Sequence, residues 1–165
     1  MAKKRPKVTS QARARTRSTH RAKTAAVRAQ ATRSARDRSV QTFLDEFAAA
    51  LTAGRTEEIV SKWGTPGLVI ADDDIRAVST PDEVEAFFAG AREQYNARGI
   101  TDTRADILVL EWATDRMAIA HVRWPYLDAR GREMGEESSS YVLRRDDRGR
   151  FRFYVAVLRG ASASS

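Results

Sequence analysis

Four stretches of this chain carry side chains suited to chemistry. Asp72, Asp73 and Asp74 stand in a row, and neighbouring carboxylates can bind a cation or accept a proton. His121 is one of two histidines, the other being His20, so a Ser–His–Asp site would have to use His121. Ser138, Ser139 and Ser140 offer hydroxyls beside Tyr141. A serine nucleophile needs an adjacent base, however, and no histidine is local to them. The fourth group is aromatic: Phe47, Trp63, Tyr95, Trp112, Trp124, Tyr126 and Tyr141. Gathered at one end of a fold, such rings would line an apolar pocket with a few donors, which is how small-molecule sites are built. A plainer reading stands beside each. Acidic turns suit the Asp backbone without any ligand, and most aromatic side chains are simply core. The catalytic candidates are therefore Asp72, Asp73, His121 and Tyr141, and the ligand-binding candidates are the seven aromatic residues.

Other chemistries are excluded by composition. The 165 residues include no Cys, which removes disulfides, thiolate nucleophiles and Cys-based zinc or iron–sulfur sites. With two histidines, one in a basic tail, a zinc site built on His pairs is not expected either. No metal and no cofactor are expected. No apolar run approaches the roughly 18 residues that span a bilayer, and no apolar segment of a signal peptide follows the basic start. The expectation is a cytoplasmic protein without a membrane partner.

Charge divides the chain near residue 39. Residues 1–39 hold 13 Lys and Arg against Asp37 alone. Of the totals 29 and 22, this leaves 16 basic and 21 acidic residues for 40–165. Val8 and Val27 are the only branched aliphatics of the tail, so it cannot bury enough surface to offset ordering. Residues 1–39 are expected to be a disordered basic tail, and 161–165 a disordered C-terminus. Between Gln11 and Arg36 the tail is rich in Ala and Arg, good helix formers that an anionic partner could order. Lys3, Lys4, Arg5, Arg13, Arg15, Arg17 and Arg21 are candidates for neutralising phosphates. No aromatic residue is interleaved, so such binding would be blind to sequence. The Lys3-Lys4-Arg5-Pro6-Lys7-Val8 patch also resembles a nuclear-import signal, and the Arg- and Ser-rich composition an organelle transit peptide. A merely solvated extension remains the plain alternative.

The elements that must position these groups lie in 40–160. Val40, Phe43, Leu44, Phe47, Ala48 and Leu51 recur at helical spacing, with Ser39 as the expected N-cap and Gly54 past the end. A short second helix, capped by Thr56, turns Ile59, Val60 and Trp63 inward and stops at Gly64. A third starts at Thr80 with Pro81 and Glu83 in a capping box. It carries Val84, Phe87, Phe88, Ala91 and Tyr95, and ends at Gly99. A hairpin at 68–71 and 75–78 flanks the acidic turn. Long strands follow at 103–112, 116–126, 133–145 and 150–159, joined by short polar turns as an antiparallel meander. On 116–126, alternation places Ala118, Ala120, Val122, Trp124 and Tyr126 on the core face and His121 and Arg123 outside. Ser139 shares the core face with Tyr141 and Leu143. Strands this long must curve. The fold class is α+β, three N-terminal helices packed on a curved antiparallel sheet.

This order of elements resembles the nuclear-transport-factor-2-like superfamily, also called ketosteroid-isomerase-like, SnoaL-like or cystatin-like. The resemblance covers nearly all of 40–160 and none of the tail. It rests on Phe47-Ala-Ala-Ala-Leu51-Thr-Ala-Gly54, on Ile59-Val60-Ser-Lys-Trp63 and on Trp124-Pro-Tyr126. It rests also on Tyr141-Val-Leu-Arg-Arg-Asp-Asp-Arg-Gly149-Arg-Phe151. It implies a cone with a concave inner face. The isomerases of that superfamily place a Tyr on helix one, a base Asp on the strand after helix two, and a second acid or donor on the penultimate strand. Those positions fall here on Phe47, on Ala71 with Asp72 adjacent, and near Tyr141, so ketosteroid-type isomerisation is disfavoured. Three classes of function remain. The first is a small-molecule-binding pocket protein, its ligand small and apolar. The second is an interaction module, a homodimer through its sheet with a polyanion-binding tail that takes nucleic acid non-specifically. The third is a polyketide-cyclase- or dehydratase-like enzyme.

Overall fold

The first helix, α1, runs from Ser10 to Ala53 in the computed structural model, which describes residues 10–163 and the side chains of 23–160. The chain divides into two units, Met1–Arg38 and Ser39–Ser165. In the first, every described side chain from Lys23 to Ala35 is exposed. Helix here rests on the local propensity of Ala and Arg, which is marginal in water without packing. Ser39 is therefore not an N-cap; it lies inside α1. Lys3, Lys4 and Arg5 fall outside the described residues, as do the side chains of Arg13, Arg15, Arg17 and Arg21.

In the second unit α1 buries the expected stripe: Val40, Phe43, Leu44, Phe47, Ala48 and Leu51 are core. Gly54 follows with φ of 68°. Next comes α2, Thr56–Ser61, whose N-cap is Arg55 rather than Thr56. It ends before Trp63, because Trp63 opens strand β1, Trp63–Ile70. Gly64 is thus a strand residue, and its role is close approach. A Cβ there would lie 2.4 Å from the Tyr154 ring. Strand β2, Ile75–Val78, pairs antiparallel with β1 across the acidic turn.

Thr80 caps the next helix as expected: Glu83 N–H donates to Thr80 Oγ1 at 3.2 Å, while the Glu83 carboxylate reaches back one residue past the N-cap and accepts from Ser79 N–H at 2.6 Å. The helix that follows is two, not one. Helix α3 spans Pro81–Phe88 and α4 spans Ala91–Ala97. Gly90 between them has φ of 77°, which the right-handed helix does not accommodate and glycine adopts freely. The break turns Tyr95 onto its own short helix.

The expected strand 103–112 is also divided, into β3, Asp102–Thr103, and β4, Asp106–Trp112. Strand β5 is Met117–Leu127, β6 is Glu133–Arg145 and β7 is Phe151–Ala163. β7 outruns its expected end because Ala161, Ser162 and Ala163 pair with Glu137, Glu136 and Gly135. Those three residues are strand, not a disordered end. The sheet order is β2-β1-β7-β6-β5-β3, with β4 also on β5. All pairings are antiparallel except β1 on β7. The sheet is therefore mixed rather than an antiparallel meander throughout. The hairpin of β1 and β2 joins beside the last strand.

Register sets the two faces. Ala118, Ala120, Val122, Trp124 and Tyr126 of β5 are buried, as are Ser139, Tyr141 and Leu143 of β6 and Phe153 and Ala156 of β7. Phe153, fully buried, sits 4.8 Å from each of the rings of Phe43, Phe47 and Tyr141 and 5.4 Å from that of Trp63. His121, half-buried, points away with Arg123.

Candidate functional site

The inner face is not completely filled. A cavity of about 260 Å³ lies between helices and sheet. Phe47 and Leu51 of α1 close one side, with Phe87 and Phe88 of α3 and Tyr95 of α4. Trp63 and Val69 of β1, Glu137 to Ser139 and Tyr141 of β6, and Ala156, Leu158 and Gly160 of β7 form the other. Its wall is mainly aromatic and aliphatic. Glu137 is the single charged residue among these lining residues.

Glu137 reaches this position through strand alternation. Trp124 is opposite it on β5 and Tyr141 lies four positions on, so its side chain shares the inner face. Tyr126 Oη donates to Glu137 Oε2 at 2.5 Å. Tyr95 stands against Tyr126 with ring centroids 5.9 Å apart, and the Arg98 guanidinium lies 4.7 Å from the centroid of the Tyr126 ring. Trp124 Nε1 donates to Tyr141 Oη at 3.1 Å. The Trp63 indole N–H, buried in the cavity wall, has no hydrogen-bond partner among the described residues.

These phenols are held in the neutral form. Burial pushes the ionisation of Tyr95, Tyr126 and Tyr141 well above the ordinary tyrosine value, and the negative charge of Glu137 adds to the rise in all three. At neutral pH the phenols therefore serve as hydroxyl donors and acceptors.

Of the seven ligand candidates, Phe47, Trp63, Tyr95 and Tyr141 line the cavity. Trp124 and Tyr126 sit behind it, supplying hydrogen bonds to Tyr141 and Glu137. Trp112 lies elsewhere, its ring 6.1 Å from that of Phe151. Asp72 and Asp73 are exposed in the β1–β2 turn, away from the cavity lining. His121 is on the outer face, its Nδ1 2.7 Å from Ser140 Oγ and 3.4 Å from Arg159. Of the catalytic candidates, only Tyr141 lines the cavity. Phe47 lines it without a hydroxyl. Sequence reasoning passed over Glu137, Phe87 and Phe88 as lining residues. The signal for Glu137 was present: two positions before Ser139, it continues the inner-face alternation.

The chain belongs to the NTF2-like proteins: residues 36–161 match the family described as "NTF2-like protein (DUF6841)". No curated protein matches the chain. Among solved structures it is similar to an NTF-2-like protein of unknown function from Shewanella oneidensis MR-1. That likeness has 12% identity and a TM-score of 0.57, covering 74% of this chain and 97% of the other. A cystatin-like protein of unknown function from Nostoc punctiforme PCC 73102 matches with 11% identity and a TM-score of 0.60, over 74% and 88%. A Novosphingobium aromaticivorans DSM 12444 protein, provisionally named a scytalone dehydratase, matches with 12% identity and a TM-score of 0.59, over 82% and 92%. At these identities the likeness is one of fold. No helix among the described residues is long and apolar enough to cross a membrane.

Proposed function

We propose that this protein binds a small molecule in the cavity between its helices and the inner face of its sheet. The observation that carries the reading is the cavity itself: about 260 Å³, aromatic in its walls, with a single carboxylate and tyrosine hydroxyls at its polar side. A packed core would place apolar atoms there. Trp63 in the wall makes binding visible as a change in fluorescence. Titration with small aromatic alcohols and amines should change that emission and raise the melting temperature. Leu158→Trp, which fills the cavity, should abolish both responses in a folded protein. Binding that survives Leu158→Trp would place the ligand elsewhere.

A second reading concerns the opposite face, which we propose pairs with a second copy of the chain. Ile119, Val142, Val155 and Leu68 are linked in register across four strands and are half-buried. Val109, beside His121 on β4, is exposed. Burial of such an apolar row against its own copy would remove it from water. Light scattering should give a dimeric mass at micromolar concentration, and Val142→Lys a monomeric one. A monomeric wild-type mass would refute it.

A further inference from the structure

The charge of the cavity limits what it can hold. Six of the lining residues are aromatic: Phe47, Trp63, Phe87, Phe88, Tyr95 and Tyr141. Glu137 is the one ionisable acid, and no Lys, Arg or His is among the described lining residues. An anion placed there would meet Glu137 with no cation among the lining residues to compensate it. A neutral molecule would gain the apolar contacts but would leave the carboxylate partly desolvated, at a cost. A cation would gain on both counts, through the carboxylate and through the negative faces of the rings.

Glu137 has capacity for such a partner. A carboxylate offers about four acceptor positions, and Tyr126 occupies one of them. Among the described residues no ion pair with Arg or Lys engages Glu137, whereas Glu133 and Glu136, on the same strand, are paired with Arg123. Arg98 lies over the Tyr126 ring, outside the lining, and its charge opposes part of the rise in the ionisation of Tyr95 and Tyr126. The charge of Glu137 is felt through the wall, since it contributes to the raised ionisation of the lining phenols Tyr95 and Tyr141.

We propose that the ligand is a small organic cation, a protonated amine with an aromatic or aliphatic body. Its ammonium group donates to Glu137, and its body lies among the rings of Phe47, Phe87, Phe88 and Tyr141. This rests on the reading of the cavity as a ligand site and specifies the class of ligand.

The test compares three probes of one shape on the full chain by calorimetry: phenethylamine, phenethyl alcohol and hydrocinnamate. The amine is expected to bind roughly tenfold or more tightly than the alcohol, a gap in keeping with a charge-assisted pair beside aromatic faces, and hydrocinnamate is expected to bind weakest. Glu137→Gln should erase the advantage of the amine over the alcohol. Alcohol binding as tight as amine would overturn the cation assignment and leave the cavity as a ligand site. Failure of all three to bind would count against both. An amine preference that persists in a folded Glu137→Gln would show that another group seats the charge. Should that variant not fold, the wild-type ranking of the three probes decides the matter.

Discussion

Tyr126 on β5 donates its phenolic hydrogen to Glu137 on β6 at 2.5 Å, diagonally across the register. Trp124 is the residue directly opposite Glu137, and Gly135 is the one opposite Tyr126. With no side chain on Gly135, the phenol leans along the sheet to the carboxylate two positions away. The bond orients Glu137 on the cavity side. Tyr126→Phe should cost about 1 kcal/mol of stability, the usual net worth of such a bond when water can replace it. Urea denaturation measures the loss, and a change near zero would show that the bond is not maintained in solution.

Phe153 and Phe87 should respond differently to truncation. Phe153 is fully buried and touches four other aromatic rings, so Phe153→Ala should cost about 3–5 kcal/mol. Phe87 is only half-buried, with one side facing the cavity. Its place in the helical stripe predicts full burial, but the cavity leaves that side unpacked. Phe87→Ala should cost roughly 1–2 kcal/mol, since fewer contacts are lost. Equal losses at the two sites, read from chemical denaturation, would contradict the cavity.

Stability should fall on the alkaline side. Tyr95, Tyr126 and Tyr141 ionise above the ordinary value of 10.0 in the folded protein, first because they are buried. The unfolded chain releases these protons first, so the folded state holds more protons once the pH passes the unfolded value. The stabilisation is complete below about pH 10 and declines as the pH rises above it. Melting temperatures between about pH 8 and about pH 11 should fall, and the fall should be smaller for Tyr95→Phe. An unchanged melt in that range would contradict the burial of these phenols.

Gly90 tests the division of the third helix. Its φ is 77°, and an added Cβ would meet nothing closer than Gln94 Nε2 at 3.9 Å. Space is therefore available and only the backbone objects. Gly90→Ala should cost about 1 kcal/mol through its left-handed conformation. A stabilising effect would mean that the helix runs through.

The basic stretch should be dispensable for folding, since the core residues of α1 begin at Val40. Removing residues 1–32 should leave the melting temperature within a few degrees and lower the helical circular dichroism signal. Any binding of the full chain to DNA or RNA should fall steeply with salt, ignore sequence and vanish on that deletion.

The strands and their faces were legible because period-two alternation is strong on β5 and β6: Ala118 to Tyr126 and Ser139 to Leu143 are buried as the pattern requires. The helix cap at Thr80 was equally plain, since its side-chain bonds are local. Trp63 was misplaced because Ile59, Val60 and Trp63 fit a helical stripe. What draws Trp63 into β1 is its pairing with Phe153, far along the chain, and no local pattern records that. The start of α1 was hidden for a different reason. Charge signals solvation, while Ala and Arg still favour helix. The cavity was the least legible feature. Its lining mixes residues from six elements, and an unfilled volume between side chains has no sequence signature. Glu137 was overlooked because it stands among other polar residues of β6, where one inward acid resembles its outward neighbours.

The one parallel pairing, β1 beside β7, bears on how the chain is made. β1 emerges early from the ribosome and β7 last. Until β7 appears, the hairpin of β1 and β2 has a bare edge, with Leu68, Val69 and Ile70 awaiting Val155, Ala156 and Val157. Closing that contact spans nearly the whole domain, a distant closure of the kind that slows folding. Nascent chains cut short before Phe151 should therefore carry an unsatisfied apolar strand edge, open to aggregation and to chaperones. Assembly of the sheet is in this sense completed only by its last strand.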